Sequence, residues 1–143
     1  MSIIDTRRRV QHYLQKAGKV ETVEDRVMVR CGSTGCQIQV EEWEKGRTLV
    51  VLSAAVLLGV KLTAELFKEL AQQTDKYWVG SLVLEEDAGG MGNIFFKHVL
   101  LGDTLDEEEL LWSLSAVSRT ADDLDDEWRP RFGGSRLEDK LRS

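Results

Sequence analysis

The chain has 143 residues, 42% of them hydrophobic, and carries 19 Lys and Arg against 25 Asp and Glu, for a formal net charge of −6. This length and apolar content suit one domain with its own core. The acidic balance argues against nucleic acid or an anionic membrane as the main partner, because both attract cationic surfaces. The longest apolar stretch, residues 49–60, is too short for a membrane-spanning helix of ~20 residues. The basic start at Arg7, Arg8 and Arg9 lacks the apolar segment of a signal peptide, so we expect a cytoplasmic protein.

Apolar periodicity, capping residues and turn signals predict three helices and five strands, in the order α-β-β-β-α-β-β-α. The predicted helices cover residues 3–17, residues 64–73, and a segment from Thr104 to a stop at Pro130. The predicted strands cover residues 19–31, 37–43, 47–56, 77–85 and 94–101. Three consecutive strands and then a hairpin imply a five-stranded, mostly antiparallel sheet with helices on it, an α+β architecture. We expect a single domain over residues 1–134 and a short polar C-terminal tail over residues 135–143.

Two of the predicted strands have features that bear on the sheet. Glu24 and Asp25 interrupt the valine-rich segment 19–31 and indicate a kink or turn inside that strand. Residues 47–56 are apolar on both faces, which is typical of a central strand covered on both sides.

The third predicted helix has a distinct start and a long apolar stripe. Thr104 and Glu107 match a capping box, and further acids crowd the first turn, where the helix dipole favours them. The stripe has heptad-like spacing, and its members are Leu110, Leu114, Val117, Ala121, Leu124 and Trp128. The acidic face of this helix is either a docking face, for a basic partner or for the other subunit, or a solvated surface, and charge runs usually mean solvation.

No residue pattern indicates a catalytic, cofactor or metal site. Cys31 and Cys36 flank a predicted turn and could face each other across a hairpin. We expect reduced thiols in a cytosolic chain, with a redox clip as the alternative. His12 and His98 are too far apart in sequence to form a zinc set with the cysteines. The glycine-rich segment 89–93 lacks the Lys-Ser/Thr pair of a phosphate-binding loop, so we expect no catalytic residue, no metal and no cofactor.

Three stretches of the chain resemble a known family. They are Gly59-Val60-Lys61-Leu62-Thr63, Leu100-Leu101-Gly102-Asp103-Thr104-Leu105, and the acidic run of residues 121–127 with the Phe132-Gly133-Gly134 that follows. With the element order, they make the chain similar to the type III secretion chaperone-like superfamily. Within it, the chain resembles the YbjN-like peptide-binding chaperone proteins common in actinobacteria. The resemblance covers almost the whole chain, from the first helix to Gly134.

The resemblance implies a homodimeric, chaperone-like module that binds a protein or peptide client and is not an enzyme. Apolar residues on the second helix and on the last two strands supply a candidate client-binding or dimer surface: Leu66, Phe67, Leu70, Trp78, Leu82 and Phe95. We expect subunit pairing to cover it, because monomeric domains seldom expose large apolar patches. The alternatives are a dimeric regulatory or adaptor protein that controls another protein and, less favoured, a thiol-dependent redox protein.

Overall fold

A computed structural model of the chain describes residues 2–23 and 26–142, without the side chains of Val23 and Arg142. Its helices are α1 (Ile3–Leu14), α2 (Ala64–Gln72), α3 (Glu107–Phe132) and α4 (Leu137–Arg142). Its strands are β1 (Val20–Val23), β2 (Arg26–Cys31), β3 (Thr34–Glu44), β4 (Arg47–Val60), β5 (Ser81–Glu86) and β6 (Gly92–Leu101). The strands form one antiparallel sheet in the order β1-β2-β3-β4-β6-β5. The predicted α+β class and antiparallel sheet are confirmed.

One face of the sheet carries the core, and α1 and α3 pack on it. Alternation along β4 and β6 directs Val50, Leu52 and Phe96 to this face, where each is 0% exposed. The apolar stripe of α3 lies against them, and all six of its predicted members are buried. Helix α2 adds one fully buried side chain, Leu66. The heptad-like spacing therefore predicted the inward face of α3 correctly.

The prediction of five strands is wrong, because the predicted strand over residues 19–31 is a hairpin. Strands β1 and β2 pair antiparallel, with Val20 opposite Val29. Folding the segment back satisfies its backbone N–H and C=O groups in a ladder, which a single edge strand would leave unpaired on one side. Glu24 and Asp25, the predicted kink or turn, lie outside the described residues.

Two further strands have bounds or surroundings that differ from the prediction. Strand β4 is central, as predicted, but extends to Val60, and α1 and α3 cover one of its faces while the other stays open along most of its length. The predicted strand over residues 77–85 begins at Ser81, so Trp78 lies in the connection before β5. The sequence of β4 does not show which of its two faces packs against helices, because both faces carry apolar side chains.

Helix α3 begins later and ends later than predicted. Its N-cap is Asp106, whose side chain accepts a hydrogen bond of 2.7 Å from the Glu109 N–H, so Thr104 does not cap it. The helix runs through Pro130 to Phe132. Proline disrupts a helix interior because it lacks an N–H and crowds the preceding turn. In the last turn the missing donor costs one backbone bond only, and the Gly133 N–H still donates to the Arg129 carbonyl at 2.9 Å.

The prediction of three helices is also wrong, because the described residues contain a fourth, α4. After α3 the chain turns at Gly133 and Gly134, which have φ values of 73° and 77°. Ser135 and Leu58 then exchange two backbone hydrogen bonds of 2.8 Å each. Leu137 reaches the outer side of the β2–β3 hairpin, where a Cβ added to Gly35 would lie 3.3 Å from its Cδ2 atom. We call residues 133–142 the strap, because they wrap round this end of the sheet.

Candidate protein-binding surface

The sheet face opposite α1 and α3 is uncovered along most of β3, β4 and β6, and we call it the open face. Its middle row contains Gln37, Ser53 and Lys97 side by side on the three strands. A shallow groove of about 320 Å³ crosses this row. The groove is lined by Arg26, Gln37, Gln39, Val51, Ser53, Glu85, Phe95 and Lys97. A groove with amides, a hydroxyl and charged groups can hydrogen-bond a chain laid across it.

Beyond the groove, the open face ends in four apolar side chains, Leu49, Val51, Val99 and Leu101, which we call the apolar end. The strand register sets Leu49 opposite Leu101 and Val51 opposite Val99, so the four are contiguous. Val99 is 50% exposed and Leu101 is 57% exposed. Burial of such a patch by a partner releases about 25 cal/mol per Å² of apolar surface removed from water.

The β5 edge of the sheet has exposed apolar side chains beside it. Strand β1 is one edge, and β5 is the other, with β6 as its only partner in the sheet. Trp78 and Val79 stand just before β5 and are 102% and 36% exposed. An edge strand offers unpaired backbone groups to an added strand, and an exposed tryptophan beside it offers apolar contact.

Half of the predicted surface residues point toward the core. Leu66 is 0% exposed, and Leu70 and Leu82 are partly buried against the core cluster. The helical spacing of Leu66 and Leu70 thus marks the inward face of α2. Strand β5 similarly turns Leu82 inward, opposite Phe96.

The other three predicted surface residues reach solvent, each on a different part of the fold. Phe67 is 48% exposed on α2, and Trp78 is fully exposed before β5. Phe95 is half-buried on the open face, opposite Val83. Sequence reasoning missed Val99 and Leu101, although their strand is apolar at both odd and even positions, which was a usable signal of a second apolar face.

The N-terminal end of α3 forms a separate exposed feature. Trp112 is 69% exposed and shares a shallow depression with Asp106, Glu108 and Glu109. Of the four tryptophans, Trp128 alone is buried, at 1% exposed. Exposed acidic and aromatic groups together suit a cationic partner.

The two cysteines do not face each other. Cys31 lies opposite Thr34, and Cys36 lies opposite Val29. Burial raises the pKa of Cys36 to about 12, and burial followed by the charge of Asp122 raises the pKa of Cys31. Both thiols are free, and little thiolate exists at neutral pH. This arrangement weighs against the thiol-dependent alternative.

Metal ions and membranes each require a particular arrangement of residues. Over residues 2–23 and 26–142, no group of three or more His, Cys, Asp or Glu side chains is placed to hold a metal ion. Burial lowers the pKa of His98, which favours its neutral form. In the same part of the chain, no helix is long and apolar enough to cross a membrane.

Comparison with known proteins agrees with this geometry. Residues 5–140 match the family TY-Chap1, described as T3SS (YopN, CesT) and YbjN peptide-binding chaperone 1. The chain is similar to the crystal structure of YbjN from E. coli, with a TM-score of 0.68, 12% identity, and coverage of 91% of this chain and 95% of that chain. At this identity the likeness shows the fold alone. No match was found among curated proteins. The resemblance read from the sequence is thus confirmed, and the chain belongs to the TY-Chap1 family of T3SS and YbjN peptide-binding chaperones.

Proposed function

We propose that this chain is a non-enzymatic, cytoplasmic chaperone-like module that binds an extended, partly apolar segment of a client protein on the open face. The family's description as peptide-binding chaperones supports this. The observation that carries the proposal is the exposed apolar end, with Val99 and Leu101 half exposed beside a polar groove. An isolated soluble domain has no packing reason to keep these side chains in water.

The open face suits an extended segment for a simple reason. Side chains of an extended chain alternate, so one set can face the sheet while the other faces solvent. Apolar side chains of the client would cover Val99 and Leu101. Its backbone and polar groups would bond to Gln37, Gln39 and Lys97 in the groove. Affinity then comes mostly from burial, and the polar row fixes the position of the segment.

The test is binding of a labelled peptide of about 10 alternating apolar and polar residues, measured by fluorescence anisotropy with the full chain. The double variant Val99→Asp, Leu101→Asp should weaken binding at least ~10-fold, since it places two charges in the contact. Both side chains are half exposed, so the fold should survive.

A matched control is Ile4→Asp, which also replaces an exposed apolar residue, 62% exposed, but on α1. It should bind the peptide as the wild type does. A folded Val99→Asp, Leu101→Asp protein that binds normally would remove the open face from the proposal, and loss of binding in Ile4→Asp would show a general surface effect.

We further propose that the chain forms a homodimer through α2, β5 and β6. Phe67 and Trp78 are exposed there, and two-fold pairing covers such a patch with its own copy. We expect a total buried area of ~1,200–2,000 Å². Sedimentation at micromolar concentration should show a dimer for the wild type and a monomer for Phe67→Asp, Trp78→Asp. Leu66 is fully buried, so its replacement would test the core and not the interface. A monomeric wild type overturns the dimer but leaves the client site standing.

A second candidate function is a regulatory or adaptor protein with a folded, basic partner. The exposed Trp112 with Asp106, Glu108 and Glu109 favours it, because this surface is acidic and apolar together. An adaptor of this kind would not bind the labelled extended peptide, and its partner binding would depend on Trp112. Trp112→Ser should leave peptide binding unchanged if the chaperone-like function holds.

A further inference from the structure

Ser33, in the turn between β2 and β3, sits between two carboxyl groups of α3. Its Oγ atom lies 2.6 Å from Asp122 Oδ1 and 2.5 Å from Asp125 Oδ2. Its backbone N–H also donates to Asp122 Oδ1 at 2.8 Å. Gly32 permits this approach, because a Cβ at that position would lie 2.5 Å from Asp122 Oδ1. The turn is therefore held against α3 by two acids and one hydroxyl.

These contacts need one more proton than the serine supplies. A hydroxyl carries a single proton and can donate it to one acceptor, and an ionised carboxylate can only accept. Two contacts of 2.6 Å and 2.5 Å from one Oγ atom therefore require that one carboxyl group be protonated and donate to the serine. The contact distances by themselves therefore indicate an extra proton in the closed state.

The surroundings identify Asp125 as the protonated acid. Asp122 is partly exposed and receives two donors from Ser33, which suits a carboxylate. Asp125 is 0% exposed, and its Oδ1 atom has no hydrogen-bond partner among the described residues. A buried, unpaired charge would be costly there, whereas a neutral acid is tolerated. Burial, followed by the neighbouring Asp126 and Asp122, raises the pKa of Asp125 to about 7.

The charged groups around Asp125 do not compensate its ionisation. Asp122 and Asp126 on α3 are both acidic. On the strap, Arg136 attracts the Asp125 carboxylate, but it binds Asp139 at 3.0 Å and also approaches Asp126 at 3.9 Å. On β2, the half-buried Cys31 thiol has a raised pKa and stays neutral. Ionised Asp125 would thus face the carboxylates of Asp122 and Asp126 and one cation already engaged by Asp139.

The same turn anchors the strap. The Ser33 carbonyl accepts a hydrogen bond of 3.0 Å from the Glu138 N–H, at the start of α4. Leu137 packs beside Gly35 on the same hairpin. Any movement of the turn away from α3 would therefore weaken two of the contacts that hold the strap on the sheet.

We propose that Ser33, Asp122 and Asp125 form a one-proton latch that ties the β2–β3 turn, and through it the strap, to α3, and that loss of this proton loosens the strap. Opening sets Asp125 in water, where its pKa is about 4. The closed state keeps the proton to a higher pH. Opening is therefore rarest in acid, rises as pH increases through the range between the two pKa values, and levels off above the higher one.

The expected size follows from this linkage. One proton released on opening makes the opening constant rise up to about tenfold per pH unit, and about a thousandfold overall between pH ~4 and ~7. His98 has a lowered pKa and contributes the opposite slope to global stability in part of this range. Asp139, whose pKa is lowered to about 2 by hydrogen bonding to Arg136, titrates below it. The difference in pH slope between the wild type and Asp125→Asn cancels the contributions of His98 and Asp139, because both proteins contain them.

The test uses hydrogen exchange of the Glu138 amide between pH 5 and 7.5, corrected for the intrinsic exchange rate, in wild type and Asp125→Asn. The asparagine amide is neutral at all these pH values and donates to the serine as the acid does. Protection of Glu138 should fall with rising pH in the wild type and stay flat in Asp125→Asn. Asp123→Asn changes an exposed neighbouring acid and should keep the wild-type slope.

A second measurement needs no variant. Carbon-13 NMR of the wild type should show the Asp125 carboxyl titrating near neutral pH, far above an ordinary aspartate. Equal pH slopes in wild type and Asp125→Asn, or an Asp125 carboxyl that titrates near pH 4, would overturn the latch. If Asp125→Asn fails to fold, the NMR titration alone decides.

Discussion

Replacement of Thr48 by valine tests a buried hydrogen-bond chain that joins α1, β4 and the turn after β6. Thr48 donates from its hydroxyl to Asp103 Oδ1 at 3.0 Å, and its N–H donates to the same atom at 3.2 Å. Its Oγ1 atom also lies 2.8 Å from the Thr6 hydroxyl. The Thr48 hydroxyl donates its one proton to the Asp103 carboxylate, so the Thr6 hydroxyl must be the donor in the Thr6–Thr48 hydrogen bond. Thr6 and Thr48 are 0% and 1% exposed.

The direction of the chain predicts an asymmetry between the two threonines. Thr48→Val removes the acceptor of the buried Thr6 hydroxyl and should lower the free energy of unfolding by ~2–3 kcal/mol. Thr6→Val removes a donor but leaves the Thr48–Asp103 bond intact, so it should cost only ~0.5–1.5 kcal/mol. In the double variant, Thr6→Val should add almost nothing to the unfolding cost of Thr48→Val, because it removes the hydroxyl that Thr48→Val leaves without an acceptor.

Urea unfolding of the four proteins measures this cycle, with the slope against denaturant expected to stay constant. Hydrogen bonds from Thr48 lower the pKa of Asp103 against the opposing effect of desolvation, so Thr48→Val should also bring that pKa back toward its ordinary value. A Thr6→Val cost equal to or above that of Thr48→Val, or full additivity in the double variant, would refute the assigned direction of the chain.

Two further predictions concern close packing and the thiols. Gly102→Ala should destabilise the protein by ~1–3 kcal/mol in urea unfolding, because its Cβ would lie 3.0 Å from the Thr48 carbonyl oxygen, a backbone atom. Gly89→Ala, where the nearest atom is at an ordinary 3.4 Å, is the control and should stay within ~0.5 kcal/mol; equal losses would contradict the packing argument. Cys36, with its pKa raised to about 12, should react with a thiol reagent only as fast as the protein unfolds, and rapid native labelling would count against its burial. Because the unfolded thiols ionise first, stability should also fall as pH rises above ~9. The variant Cys31→Ser, Cys36→Ser should show a smaller fall, since burial also raises the pKa of Tyr77, and should still bind the peptide.

The stretch Leu100–Leu105 shows how far local reasoning reached. Its sequence pattern supported the family resemblance, which the match over residues 5–140 confirms. The reason for the pattern became visible only in the structure: Gly102 fits against Thr48, and Asp103 accepts two bonds from that residue. Thr48 is 55 residues away along the chain, and no local periodicity encodes such a distance.

The candidate site was predictable in kind but not in place. Apolar residues on both faces of the predicted strand over residues 77–85 indicated an apolar surface that needs cover. The prediction placed this surface on the second helix and the last two predicted strands. Of its residues, Leu66 is buried, and Leu70 and Leu82 pack against the core. Of the open face, only Phe95 was among the predicted residues. Which face stays open depends on the side of the sheet that α3 occupies, and the alternation along a strand is the same for either choice.

The sequence by itself determined the α+β class, the antiparallel sheet and the inward face of α3, since these follow from short-range periodicity and turn residues. The family came from the resemblance of three stretches to a known family, which the match over residues 5–140 confirms. Tertiary structure alone decided the hairpin of β1 and β2, the course of α3 through Pro130, and the strap. It also brought Ser33 between Asp122 and Asp125, 89 and 92 residues further along the chain. Such contacts depend on how helices and strands dock, and docking is set by the packing of the whole core.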